Sequence, residues 1–260
     1  MTNQEILSVA MRQSAIDLSA SPDDFSKSEN VVLLSRESEG ARRYLKLPFS
    51  CQLVSYGSNI VASCSPPLFG IVEEYLSRYT YYHCFETPNL HWLSDRLLPY
   101  GQKICFMAEY FLPDVTALSA QGREIPYEMR LLSPPDFDDL YLPAWSNALC
   151  AARRELDVLG VGAYDGGRLI GLAACSADCD TMWQIGIDVL PEYRRRGIAS
   201  ALTRRLAAEI LSRGKVPFYC AAWSNIPSVK NAIAAGFRPA WVELTAKPIE
   251  TVDEMNETLP

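Results

Sequence analysis

The stretch Gln184–Ser200 limits what this chain can fold into more than any other part of it. Ile185, Ile187 and Val189 alternate, as residues on one face of a strand must. Pro191 cannot donate to a sheet ladder and closes the strand. Arg194, Arg195 and Arg196 then lead into Gly197, and Ile198, Ala199 and Ser200 start a helix. A strand, a stop, a basic glycine turn and a helix start therefore follow one another directly. Backbone N–H groups and positive charge converge at that turn, which suits phosphate.

The rest of the chain sets the frame. Its 260 residues favour two domains, and 48% hydrophobic content supports real cores. A net charge of −7 and a pI near 5.0 argue against nonspecific nucleic-acid binding. None of the eight cysteines forms a CxxC, and most sit in apolar, strand-like runs, where a thiol behaves as a small hydrophobe. Cys175 and Cys179 have a spacing that can hold a metal, but His83 and His91 lie far from them. No metal is expected. The N-terminus lacks a signal-peptide pattern and no apolar run reaches membrane-spanning length. The expectation is a reduced, cytoplasmic protein with free thiols and no membrane partner.

In chain order, Ile6 to Leu18 carry helical spacing. Cys51–Tyr56 and Ile60–Cys64 flank Gly57-Ser58-Asn59 and predict a hairpin. Ser65-Pro66-Pro67 opens a helix, Leu90, Leu93 and Leu97 mark another, and Ile104–Ala108 reads as a buried strand. The segment from Leu112 to Pro126 has little periodicity and is the expected linker. It divides an N-terminal α/β domain, 1–125, from a second domain, 126–260. That second domain begins with strand 127–132 and a helix capped by Ser133-Pro134-Pro135-Asp136. Ala144–Leu156 reads as helical. Asp165-Gly166-Gly167 predicts a hairpin. After Gly197, Ile198, Leu202, Leu206 and Ile210 form one apolar stripe. A strand at Val216–Trp223, an Asn225-led helix ending at Gly236-Phe237 and a strand at Trp241–Leu244 complete the pattern. The tail from Lys247 is expected to fray.

At the basic turn, a helix N-terminus leaves unpaired N–H groups and about half a positive charge. Gly197 and Ala199 are small, so an anion can approach the backbone, and a diphosphate fits. The Gly-Lys-Ser/Thr of a P-loop is absent, and Gly160-Val161-Gly162 lacks the third glycine of a dinucleotide fingerprint. Taken alone, the turn also reads as a solvated kink. The order of elements around it favours the anion site.

That order, with Arg194-Arg195-Arg196-Gly197-Ile198-Ala199 and Val189-Leu190-Pro191-Glu192-Tyr193, resembles the GNAT superfamily of acyl-CoA-dependent N-acetyltransferases. Asn225 and Gly236-Phe237 match a second landmark of that family. The resemblance covers roughly Tyr127 to Lys247. Met182–Arg196 and Pro217–Glu243 also resemble a GNAT branch with an extra N-terminal domain. The implied fold is α/β (α+β): a mixed, splayed sheet flanked by helices, preceded by a smaller α/β domain. That first domain would shape the substrate site or be a degenerate transferase copy. The implied cosubstrate is acetyl-CoA. The backbone from Arg196 to Ser200, through Gly197, Ile198 and Ala199, would hold its pyrophosphate, with Arg194, Arg195 and Arg204 near the phosphates. Ile187–Val189 would splay from Cys220–Trp223 and pair with the acyl-pantetheine arm, Val189 foremost. Asn225 and Ser228 would frame the thioester.

In the family mechanism an amine attacks the thioester directly, with a base, a backbone oxyanion donor and an acid for the thiolate. This sequence departs from the pattern. Ala232 stands at the usual tyrosine position, and Trp183 at the usual carboxylate position. Asp188 is the only carboxylate in the central strand, but its parity opposes Ile187 and Val189; a bulge would turn it toward the site. Ser228 would donate to the thiolate through water. Each also has a plainer reading, Asp188 as an outward-facing polar residue and Ser228 as a helix-start hydroxyl. The expected function is N-acetylation of a small-molecule amine. The alternative is a non-catalytic acyl-CoA-binding regulatory module.

Overall fold

A computed structural model describes residues 1–120, 122 and 124–258. Helix α1 (Asn3–Leu18) is followed by strands β1 (Val31–Leu34), β2 (Cys51–Ser55) and β3 (Val61–Cys64). Helices α2 (Phe69–Arg78) and α3 (Thr87–Leu97) lead to β4 (Gln102–Pro113) and the short α4 (Val115–Ser119). Strands β5 (Glu128–Leu132), β6 (Asp157–Asp165), β7 (Arg168–Ser176) and β8 (Met182–Val189) come next. Helix α5 (Ile198–Ser212), β9 (Val216–Ala221), α6 (Ile226–Ala235), β10 (Phe237–Pro248) and α7 (Ile249–Thr258) complete the order. These elements gather into two compact units. One comprises Met1–Ala10 and Tyr110–Pro239, the other Met11–Glu109 and Ala240–Pro260. Among the described residues, no helix is long and apolar enough to cross a membrane.

In the unit of Met11–Glu109 and Ala240–Pro260, β2 and β3 form the expected hairpin, with Cys51 opposite Cys64 and Val54 opposite Val61. Gly57 takes φ +94 in its turn, where a Cβ would be strained. Strand β1 lies parallel to β3, and Val242–Ala246 of β10 lie antiparallel to β2. One sheet face carries Cys51, Leu53, Ala62, Cys64 and Leu244 and packs on Val72, Tyr75, Leu93 and Leu97 of α2 and α3. In the same unit, the Arg42 guanidinium is buried between Asp17 and Glu243, at 2.5 and 2.7 Å. That double pairing is what makes burying three charges tolerable. The tail does not fray as expected. It continues as strand to Pro248 and then forms α7. Lys103 pairs with Asp253 at 2.7 Å, and the Ile249 N–H donates to the Gly101 carbonyl at 3.0 Å.

The other unit holds a sheet in the order β9-β8-β7-β6-β5. Strands β5 to β8 run antiparallel, and β8 and β9 run parallel. The β6–β7 hairpin turns at Gly166 and Gly167, with φ +55 and +88. Ile198, Leu202, Leu206 and Ile210 bury the predicted stripe of α5 against Val161, Ala163, Ala173 and Ile185. Gly171 permits the close approach, because a Cβ there would lie 2.9 Å from Ile198 and 3.1 Å from Leu202.

Two expectations are corrected in this unit. Leu112–Pro126 is not uniformly irregular: β4 runs to Pro113, and the Asp114 carboxylate caps α4 through the N–H groups of Thr116 and Ala117. That capping was readable as an Asp before a short helical run. Ala144–Leu156 is not an α-helix. It holds only short 3-10 turns, at Pro143–Trp145 and Arg154–Leu156. The N–H groups of Asn147 and Ala148 bond the Asp188 side chain instead of a helical ladder.

Candidate active site

Strand β8 is laddered from Gln184 to Val189 on one side and only from Met182 to Gln184 on the other. Toward β7, pairing runs without a shift from Ser176–Gln184 to Gly171–Val189. Toward β9 it covers only Met182–Gln184 against Val216–Phe218. Among the described residues, no pairing joins Ile185–Val189 to Tyr219–Ala221, so the two parallel strands part. Pro217, which has no N–H to give, sits within the short ladder. The Leu190 N–H donates to the Ile170 carbonyl at 3.0 Å. Alternation of the antiparallel ladder then turns the backbone groups of Ile187 and Val189 away from β7, into the opened side. The Val189 carbonyl there accepts from Arg194 Nε at 3.0 Å.

The basic turn stands at the end of this gap. Arg195 and Gly197 both have positive φ, +62 and +85. Gly197 is the N-cap of α5, and among the described residues no side chain caps the helix. The first bond of the helix runs from the Ala201 N–H to the Gly197 carbonyl, so the N–H groups of Ile198, Ala199 and Ser200 lack intrahelical partners. The Ser200 hydroxyl bonds back to the Gly197 carbonyl at 3.1 Å. Arg194, Arg195 and Arg196 are all exposed. Arg196 donates to Tyr127 Oη at 3.0 Å and to the Glu192 carbonyl at 2.9 Å, and lies 5.1 Å over the Tyr193 ring. Arg195 has no hydrogen bond or ion pair among the described residues. Uncapped N–H groups, a helix dipole and three arginines concentrate positive potential at this helix start.

Arg204 is used otherwise. Its guanidinium donates to the carbonyls of Ala117, Leu118 and Ala120 and to that of Ala234. It ties the C-terminal ends of α4 and α6 together instead of facing the turn.

The opposite face of β8 carries Gly186 and Asp188. The segment after Trp145 crosses it closely: a Cβ on Gly186 would fall 1.9 Å from the Asn147 carbonyl oxygen. Asp188 Oδ2 accepts from the N–H groups of Asn147 and Ala148 at 2.8 and 3.0 Å, and Oδ1 accepts from Asn147 Nδ2 at 2.7 Å. No bulge turns Asp188 toward Ile187 and Val189. Gly186 carried a sequence signal of this crossing, since a glycine inside a strand marks close backbone approach, whereas Asn147 carried none.

Beyond the parting point, Asn225 caps α6 by accepting the Ser228 N–H at 3.2 Å. Ser228 Oγ lies 2.7 Å from Tyr219 Oη. Tyr219 is buried, and that burial pushes its phenol up from the ordinary value. Ala232 is buried in the same core as Tyr219, so no hydroxyl comes from that position. Gln184 Nε2 reaches Cys220 Sγ at 3.1 Å, a side-chain link from β8 to β9 at the mouth of the gap.

The domain thus combines a mixed sheet that opens between two parallel strands with an uncapped, arginine-flanked helix start. Residues 126–237 match the sequence model of the acetyltransferase (GNAT) family. The chain thus carries a GNAT acetyltransferase domain at those positions.

No curated protein matches the chain. Among solved structures it is similar to a putative GNAT-family acetyltransferase from Novosphingobium aromaticivorans, at 20% identity and a TM-score of 0.44, over 56% of this chain and 66% of that one. A GCN5-related N-acetyltransferase-like protein from Streptococcus suis is similar at 20% identity and a TM-score of 0.46, over 61% and 69%. An aminoglycoside N-acetyltransferase solved in complex with CoA is similar at 22% identity and a TM-score of 0.36, over 45% of this chain and 91% of that one.

Proposed function

We propose that this protein transfers an acetyl group from acetyl-CoA to the amine of a small molecule. The observation that supports this most is the parting of β8 from β9 at Gln184–Phe218, directly before the uncapped start of α5. The N–H groups of Arg196, Gly197, Ile198, Ala199 and Ser200 would take the pyrophosphate, with Arg194 and Arg195 adding charge. The Ile187 and Val189 backbone would pair with the pantetheine arm as an added strand does. Arg194 releases the Val189 carbonyl when its guanidinium turns to phosphate. Asn225 would stand beside the arm at the head of α6. Acetyl-CoA supplies the activated acyl group.

Asp188 and Ser228 differ as catalytic candidates. Three hydrogen bonds to Asp188 hold the Asn147 segment over β8, which favours a supporting role over that of a base. Ser228 is half-buried and beside the gap, which favours a direct one. Titration calorimetry with acetyl-CoA tests the reading. Saturable binding in the micromolar range is expected, and no heat at high micromolar concentration would sink it.

A second reading is an acyl-CoA-binding module without turnover. The buried Ala232 and the committed Asp188 favour it. A panel of small amines with free-thiol detection separates the two, because thiol release with any amine excludes a pure binding role.

A further inference from the structure

We propose that the free edge of β5 pairs with the same edge of a second copy of this chain, antiparallel about a two-fold axis at Met129. Strand β5 ends the sheet order, and among the described residues it pairs with β6 alone, without a shift, from Glu128–Tyr164 to Leu132–Gly160. No backbone bond outside that ladder reaches Tyr127–Leu131 among the described residues. An antiparallel ladder engages alternate residues on each side of a strand, so about half of the β5 backbone groups face away from the sheet. Glu128, Met129, Arg130 and Leu131 are all exposed, Met129 at 42% and Leu131 at 48%. The strand holds no proline and no bulge that would blunt its edge.

The side chains select the partner. Glu128 and Arg130 share one face of the strand, and Met129 and Leu131 share the other. Arg130 donates to both Glu128 carboxylate oxygens, at 2.8 and 2.7 Å, and lies 4.2 Å over the Tyr164 ring. Half a turn about an axis through Met129, normal to the sheet, sets Glu128 of each copy opposite Arg130 of the other. Met129 then meets Met129, and Leu131 meets Tyr127. The four charges alternate in sign around one closed ring.

The same charges exclude the neighbouring registers. Opposite charges directly across a sheet attract, and like charges repel. An axis at Arg130 would set two guanidiniums against each other, and an axis at Glu128 would do so for two carboxylates. A slip of one residue would set Met129 against Arg130. Glu128-Met129-Arg130 is therefore self-complementary in one register, as a two-fold interface requires. Edge charges of a single sign would repel a second copy, whereas this mixed pair admits it. Pro126 has no N–H and ends the pairing just beyond Tyr127.

Sedimentation velocity on the full chain tests this. A reversible monomer–dimer equilibrium in the micromolar range is expected. Arg130→Glu sets four carboxylates across the join and should weaken the dimer about tenfold or more, and Glu128→Arg should do likewise with four guanidiniums. Combining the two exchanges restores opposite pairs and should return the dimer to within about threefold of wild type. Register is read separately with Met129→Cys. Directly opposite Cα atoms in an antiparallel pair lie about 4.5–5.5 Å apart, within disulfide range. Exchange with a soluble disulfide, which is reduced as the two thiols are oxidised, should therefore crosslink Met129→Cys into a dimer and leave Arg130→Cys uncrosslinked. Circular dichroism on each variant confirms that the fold is kept. A wild type that stays monomeric up to high micromolar concentration overturns the inference and leaves the edge to another partner. A dimer indifferent to Arg130→Glu, a loss that the double exchange does not rescue, or a wild-type dimer in which Met129→Cys fails to crosslink overturns it too.

Discussion

Asp188 grips Asn147 at three points, two from the Asn147 residue itself and one from the next N–H along. A strand carboxylate is thus spent on a loop that crosses its own sheet. Removing it leaves the N–H of buried Ala148 without its acceptor, which costs about 1–3 kcal/mol, while the N–H of exposed Asn147 can turn to water. Asp188→Ala is therefore expected to lower stability by about 2 kcal/mol in urea unfolding, within that range, with CoA affinity within about threefold of wild type, a change under 1 kcal/mol. A stable variant that binds CoA normally but loses turnover and one limb of its pH profile would return Asp188 to the role of base.

Gly186 makes the same crossing possible by having no side chain. A Cβ would sit 1.9 Å from the Asn147 carbonyl oxygen, and the obstacle is backbone. Gly186→Ala must push the Asn147 segment off β8, at about 1–3 kcal/mol by the usual cost of overpacking. Since the segment is also what Asp188 holds, the two losses should overlap. Gly186→Ala with Asp188→Ala should cost less than the sum of the singles by about 1 kcal/mol. Strict additivity in denaturant unfolding would show that the two residues act on different structure.

These two residues also mark what the sequence could and could not disclose. Periodicity located β8, α5 and its buried stripe, because a strand face and a helix face are written in local spacing. The turn Arg194–Gly197 was legible because glycine and arginine types carry the chemistry in themselves. The Ala144–Leu156 run misled for the opposite reason. Its helical spacing is overridden by acceptors on Asp188, 40 residues away in sequence. Arg204 misled likewise: its charge suggested phosphate, while its partners are carbonyl ends of two distant helices. The tail after Lys247 lacked apolar pattern, yet Lys103 and Gly101 hold it. The hydroxyl pair of Tyr219 and Ser228 is invisible until strand and helix are placed side by side.

Gly197 takes φ +85 at an uncapped helix start. An alanine in a left-handed conformation costs about 1 kcal/mol of strain, so Gly197→Ala should be mildly destabilised and bind acetyl-CoA more weakly. Gly197→Glu adds a carboxylate beside the same N–H groups and should abolish binding in calorimetry. Unchanged affinity in Gly197→Glu would refute the placement of the pyrophosphate at this turn.

Arg204 should matter for stability and not for the ligand. Its guanidinium meets four carbonyls, those of Ala117, Leu118, Ala120 and Ala234. A lysine cannot span that set, since its ammonium is compact and its donors converge on one point. Arg204→Lys and Arg204→Met should both lower Tm by several degrees, as a loss of about 1–2 kcal/mol does in a chain of this size, with the methionine lower. Acetyl-CoA affinity should be unaffected. A tenfold loss of affinity at unchanged Tm would return Arg204 to the phosphate site.

Acid should act on two carboxylates of this unit with opposite sign. Asp114 is held below its ordinary range, first by the Ala117 N–H and then with help from Arg238, whose guanidinium lies 2.7 Å away. Its stabilising effect is present above the unfolded pKa and is lost as pH falls through the lower folded value. Asp157 is raised above its ordinary range by burial, against the pull of the Cys150 N–H and the Tyr141 hydroxyl. The folded protein therefore holds the Asp157 proton more tightly than the unfolded chain does. The stability this gives is fully present below the unfolded pKa and is lost as pH rises through the folded value. Asp157→Asn keeps an acceptor for both donors and removes the titration. Urea unfolding of wild type and Asp157→Asn from pH 7 down to pH 4 should show the wild type gaining relative to the variant as pH falls. Asp114→Asn should show the reverse below pH 4, with wild type losing ground to the variant on further acidification. Parallel stability curves for Asp157→Asn and wild type would mean that burial does not raise this carboxyl.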